Sequence, residues 1–334
     1  MDLGVSIRSG RVWRRGRGRA VGRFLLRRVW LSAITLILVS IVVFAVAEVL
    51  PGDVGRTILG PFATNEQVAQ LNQEFGLDRP LPVRYADWSS DFVTGDWGES
   101  YLLDTPVRPL VVERMINSLY LGAFALAFIV PVSIGLGVLA ALHRDGLIDR
   151  AISVTGLSLI ALPEFVVGVI VLVIFAVELG WFPVSSRVPS ANPVDVVRQF
   201  FLPSIPLMLV LFGYIARMAR AGTVEALDSD YVRTAVLKGL PRRTLIWRHV
   251  LRNALLPTIS VVSVQVGYLF GGLVVIETLF NYPGIGKLLL DSAVGHDLPV
   301  LEATVLIVAV LYMLSNLVAD SLYAVLNPRI RVAR

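Results

Sequence analysis

No cysteine occurs in the 334 residues, which rules out a disulfide framework, a thiolate nucleophile and any cysteine-ligated metal. Histidine is nearly as scarce: His143, His249 and His296 lie far apart, so a histidine-rich metal site is excluded with it. Charge is thin, at 16% of residues against about 25% in soluble domains. Several chemistries lack their motifs as well. There is no Gly-x-x-x-x-Gly-Lys-Ser/Thr loop, no Gly-x-Ser-x-Gly elbow, no His-Glu-x-x-His and no pair of aspartates within an apolar run. The chain therefore carries neither a phosphate-cradling ATPase loop nor the constellation of an intramembrane hydrolase.

What is abundant is apolar length. Hydrophobic residues make up 55% of the chain, and the mean hydropathy is +0.72. Runs of about 20 apolar residues, enough to cross a hydrocarbon core, recur along it. The fold class is an all-α polytopic membrane protein. A net charge of +5 and a pI near 9.7 raise the possibility of nucleic-acid binding. The basic residues, however, sit in short segments that flank the apolar runs, as in an inner-membrane protein. No aromatic-interleaved basic face is present, so nucleic acid is not a partner.

Six spans are predicted, at about residues 29–49, 117–142, 151–179, 200–216, 254–276 and 300–326. The arginines orient them. A basic tail over 1–28, the turn 143–150, the segment 217–253 and the tail 327–334 fall on one side, expected to be the cytoplasm. The first run is too long for a signal-peptide core and reads as an uncleaved helix. The acidic segment 50–113 and the connections 180–199 and 278–299 fall on the other side. Within the outer segment, Thr64 followed by Gln67 predicts a capping box, opening a helix that reaches Phe75 and stops at Gly76. Tyr85, Trp88, Phe92, Trp97 and Tyr101 anchor at the interface or pack on the other outer loops or on a partner.

The most informative stretch is 230–257. Asp228-Ser229-Asp230 favours a helix start, Gly239 a left-handed stop with Lys238 complementing the dipole, and Pro241 the first turn of a second short helix through Trp247 and Val250. Helix, glycine turn, helix on the cytoplasmic face forms a docking surface, or a surface anchor at anionic headgroups.

Here the sequence resembles a known family. Tyr231-Val232-Arg233-Thr234-Ala235, Lys238-Gly239-Leu240 and Arg248-His249-Val250-Leu251-Arg252-Asn253-Ala254-Leu255-Leu256-Pro257 resemble the EAA loop of permease subunits of ATP-binding-cassette (ABC) importers. The likeness is to the peptide and nickel branch, in its DppB/OppB-like half. Leu50-Pro51-Gly52-Asp53, Phe75-Gly76-Leu77-Asp78, Glu277-Thr278-Leu279-Phe280, Pro283-Gly284-Ile285-Gly286 and Asn327-Pro328-Arg329-Ile330-Arg331 agree with that branch. Two departures stand out from the generic pattern. Arg252 occupies its proline position, with the proline following at Pro257, and Arg233-Thr234-Ala235 replaces Glu-Ala-Ala.

The resemblance implies a type I importer permease core over 114–326, paired about a pseudo-two-fold axis with a second, DppC/OppC-like permease. It further implies two ABC ATPase subunits that use ATP and magnesium, an external substrate-binding protein, and no cofactor bound by this chain. The residues implied to dock the ATPase are Tyr231, Arg233, Thr234, Ala235, Lys238, Gly239, Leu240, Arg242 and Arg243. The implied cargo is di- or oligopeptides, with nickel complexes, glutathione or oligosaccharides as alternatives.

Ionisable groups inside spans are costly and so are functional candidates. Glu164 follows Pro163, where the helix is expected to break, and serves either a packing hydrogen bond or the translocation path. Glu277 belongs to the outer gate or anchors the turn after it. Asn316 and Asp320 share a helical face, on the path or with Asp320 paired to a cytoplasmic arginine. An ion-coupled secondary transporter would need paired discontinuous helices, for which Pro163 and the Pro203/Pro206 pair are the hints. No selectivity-filter motif suggests a channel.

Overall fold

The computed structural model describes residues 12–49, 54–60, 62–74, 76, 78–190 and 192–326. Leu50-Pro51-Gly52-Asp53, Phe75, Leu77 and Asn327-Pro328-Arg329-Ile330-Arg331 lie outside them, as do the first eleven residues of the basic tail.

Among the described residues the structure is helical. α1 (Val12–Val49) begins inside the predicted tail. Three short helices follow: α2 (Val54–Leu59), α3 (Asn65–Glu74) and α4 (Leu81–Thr94). The outer segment thus holds three helices where the sequence predicts one. The capping box of α3 is present: Thr64 N–H donates to Gln67 Oε1 at 2.9 Å and Gln67 N–H to Thr64 Oγ1 at 3.3 Å.

The body consists of α5 (Val107–Leu142), α6 (Leu147–Ala161), α7 (Glu164–Val171), α8 (Pro193–Leu227), α9 (Asp230–Leu237), α10 (Arg242–Thr244), α11 (Leu251–Leu279), α12 (Ile285–Val294) and α13 (Leu298–Leu326). π-helical turns extend α7 through Leu172–Glu178 and join α10 to α11 through Leu245–Val250. Among the described residues five helices are long and apolar enough to cross a membrane, and the α6–α7 pair makes a sixth if counted as one span. That pair bends by 101° at Leu162–Pro163, where Pro163 is the N-cap of α7. α5 and α8 exceed the predicted spans, with 36 and 35 residues. At 1.5 Å per residue each reaches about 50 Å, well beyond a hydrocarbon core of about 30 Å.

α8 is the centre of the body, packing on α5, α6, α7 and α11. It runs unbroken through Pro203 and Pro206, so the predicted hint of a second discontinuous helix is withdrawn. Neighbouring helices and local adjustment absorb proline's missing donor in a membrane. Small residues set the approach of its neighbours. A Cβ on Gly137 would strike Ala216, one on Gly213 would strike Gly156 and Ile160, and one on Gly222 would strike Ala254. α1 is the opposite case. Only 6% of its apolar window is buried, against 72% for α8; it packs along α13 and meets Tyr85 and Trp88 of α4 through Ser40 and Phe44.

Candidate functional site

The glycine turn forms as read. α9 ends in a Schellman motif: Gly239 N–H donates to Val236 O at 2.9 Å, and Leu240 N–H to Ala235 O at 3.3 Å. Gly239 adopts φ +74°, the left-handed region open to glycine. The inner face of the turn is packed: Val232, Ala235 and Leu245 are buried with Ala226, Val250 and Ala254, and Leu240 lies against them. Ser229 is the N-cap, but its hydroxyl turns back to Ala226 O at 2.5 Å.

The second helix of the turn is not a separate short one. It starts at Arg242, with Pro241 as its N-cap, and continues through the π turn into α11 as one helix of 38 residues. Pro257 sits inside that helix without ending it. The segment is therefore a short helix hung between the ends of α8 and α11.

Its outer face is bare. Leu237 is 82% exposed, Trp247 69%, Val236 56% and Tyr231 41%. Arg233, Thr234, Lys238, Arg242 and Arg243 are exposed around them. Nothing lies within 4 Å of where a Cβ on Gly239 would stand. Apolar side chains rimmed by cations and left without cover mark a contact surface. Sequence reading named Tyr231 and the basic rim but missed Val236, Leu237 and Trp247, whose exposure depends on which face of the turn the core claims.

The segment is fixed to the body by ion pairs. Arg144, in the turn after α5, holds Asp228 at 3.0 Å. Asp149 in the first turn of α6 is buried and takes Arg220 of α8 through Nε at 2.5 Å and Nη2 at 2.6 Å. It also accepts Asp145 N–H at 2.9 Å and Ser153 Oγ at 3.2 Å. Neither Asp149 nor Arg220 stood out in the sequence.

The four candidates inside spans separate. Asp320 pairs with Arg28 of α1 at 2.5 Å, and Asn316 donates to Tyr312 O in its own helix at 3.1 Å. Glu277 is fully buried and accepts from Ser118 Oγ, from Gly286 N–H at 2.7 Å and from Lys287 N–H at 3.2 Å. It thereby caps the N-terminus of α12, whose first amides have no helical partner. Ile285 N–H donates to Ser118 Oγ at 2.8 Å, Asn117 Nδ2 to Pro283 O at 2.9 Å, and Tyr282 OH to Asn117 O at 2.9 Å. Burial, and then the neighbouring Glu277, push the Tyr282 phenol above its ordinary range. A Cβ on Gly284 would collide with the Glu277 carboxyl.

Glu164, first residue of α7, stands apart from the other three. It lines a cavity of about 390 Å³ with Leu207, Tyr214, Gln265, Tyr268 and Gly272.

Two family descriptions match. Residues 133–332 match the binding-protein-dependent transport system inner membrane component, and residues 21–113 match the N-terminal region of such membrane components. The chain belongs to this permease family. Among its relatives is a probable peptide ABC transporter permease of Sinorhizobium fredii, 34% identical over 93% of this chain and all of the relative. A Brucella abortus protein named as a peptide transport system permease is 36% identical over 92% of this chain and 98% of its own length. The glutathione transport system permease of Salmonella choleraesuis is likewise 36% identical, over 92% of this chain and 98% of itself. This permease is thus a multi-pass membrane component of an ABC importer, and the bare α9 turn lies in the stretch matched by the family's main domain.

Proposed function

We propose that this permease forms, with a second permease, the path by which di- or oligopeptides enter the cell. The α9 turn couples that path to ATP hydrolysis in two partner ATPases. The supporting observation is the uncovered face of Leu237, Val236 and Tyr231 beside Gly239, fixed to the membrane body through α8 and the α10–α11 helix. Force applied to such a face reaches both helices without passing through a flexible linker. Gly239 lets a partner's backbone approach closely, and Arg233, Lys238, Arg242 and Arg243 favour an acidic rim around the partner's cleft.

On this reading ATP and magnesium bind in the ATPases, and an external binding protein delivers cargo to the face formed by the outer segment. The chain lies in the cell membrane with both termini in the cytoplasm, as its arginines require. Glutathione is the second reading of the cargo, carried by the name of the Salmonella relative.

The test is peptide uptake with Gly239→Glu and Gly239→Asn. Asparagine tolerates the left-handed backbone and separates strain from blocked docking. Glutamate is expected to abolish uptake with the protein still in the membrane. Asparagine, which is smaller, is expected to retain part of it. Wild-type uptake by Gly239→Glu rejects the docking assignment.

A further inference from the structure

The carboxylate of Glu164 has no hydrogen bond or ion pair among the described residues, although it begins a helix at the break in the α6–α7 pair. Every other candidate acid within a span has a protein partner. Glu277 has Ser118 and two amides, and Asp320 has Arg28. A lone carboxylate in hydrocarbon is costly, so the cavity it lines opens to water or to another subunit.

The rest of the lining matches one kind of visitor. Tyr214 and Tyr268 are aromatic lining residues of the kind that attract cations, Gln265 is neutral and polar, and Glu164 is the sole ionisable carboxyl or cation of the lining. Gly272 faces Glu164 so closely that a Cβ there would stand 2.7 Å from Oε2, and any larger residue would push the carboxylate aside. At about 390 Å³ the space falls at the small end of ligand sites. It has room for one end of a peptide.

We propose that this cavity is a binding site for a primary ammonium, and that in transport it receives the N-terminal ammonium of the peptide. The identity of the cargo rests on the peptide-import reading above; the ammonium site itself does not. Glu164 supplies the counter-charge, and the tyrosines and Gln265 replace part of the ammonium's hydration shell. A peptide blocked at its N-terminus loses the charge-assisted contact, a loss of roughly tenfold and upward in affinity.

The test uses the full chain in native membrane vesicles, treated with dicyclohexylcarbodiimide. Peptide mass spectrometry reads the fraction of Glu164 modified, an amide formed when an amine captures the activated carboxyl being counted with the carbodiimide adduct. Glu164 is expected to label in the absence of ligand. Dialanine is expected to protect Glu164 at a concentration about tenfold or more below that at which N-acetyl-dialanine does. Propylammonium is the control for cargo identity. Protection by propylammonium but not by dialanine supports the ammonium site and counts against peptide as cargo. No labelling of Glu164, no protection by either amine, or equal protection by the acetylated peptide overturns the site.

Discussion

Asp149 holds Arg220 side-on, with Nε at 2.5 Å and Nη2 at 2.6 Å, across 71 residues of chain. The pair joins the first turn of α6 to α8, near the end of α8 from which α9 hangs. Two parallel bonds fix the angle between planar groups as well as their distance. Breaking a buried pair leaves the survivor's charge uncompensated. Because Arg220 retains 31% side-chain exposure, Asp149→Ala is expected at the low end of the usual cost, about 3 kcal/mol. The measurement is thermal unfolding in mild detergent, with Arg220→Ala and the double variant completing a cycle. If both single variants melt with the wild type, the pair contributes nothing to stability.

The Glu277 cap predicts a local effect. Glu277→Ala strips the acceptor from two α12 amides and from Ser118, at a cost of about 2–3 kcal/mol. Hydrogen exchange at Gly286 and Lys287 should accelerate before that in the middle of α11. Glu277→Gln keeps one acceptor oxygen and should fall between the two. Uniform acceleration along α11 would place Glu277's role in the helix body and not in the cap.

The contact between α6 and α8 at Gly156 and Gly213 has no spare room. Gly213→Leu is expected to force the helices apart, with a loss of about 1–3 kcal/mol or more and a sharp fall in detergent-stable yield. Gly135 has nothing within 4 Å of its virtual Cβ, so Gly135→Ala should be nearly silent in the same assay and serves as its control.

What the sequence made legible was local. The Thr64–Gln67 box, the Gly239 stop and the break at Pro163 each follow from a few adjacent residues whose backbone chemistry has one outcome. Apolar runs located the spans for the same reason, although helix ends drifted outward because polar residues at α5 and α8 termini remain helical beyond the hydrocarbon. The merging of the Arg242 helix into α11 was hidden because Arg243, Arg248, His249 and Arg252 look like a boundary to an apolar span. Partnerships were the least legible. Ser118 meets Glu277 across 159 residues and Asp149 meets Arg220 across 71, and no periodicity within one helix encodes the identity of a residue on another. The unpartnered state of Glu164 is of the same kind, since it emerges only after every neighbour is placed.

The position of α1 constrains the order of assembly. It lies far ahead of α13 in the sequence, and Arg28 meets Asp320 only once α13 has been made. Until then its contacts are with α4, where Ser40 meets Tyr85 and Phe44 packs on Tyr85 and Trp88. Its 6% burial in the finished molecule means that this wait exposes almost no surface meant for protein. The same helix that contributes least to the packed body is the one best suited to be stranded.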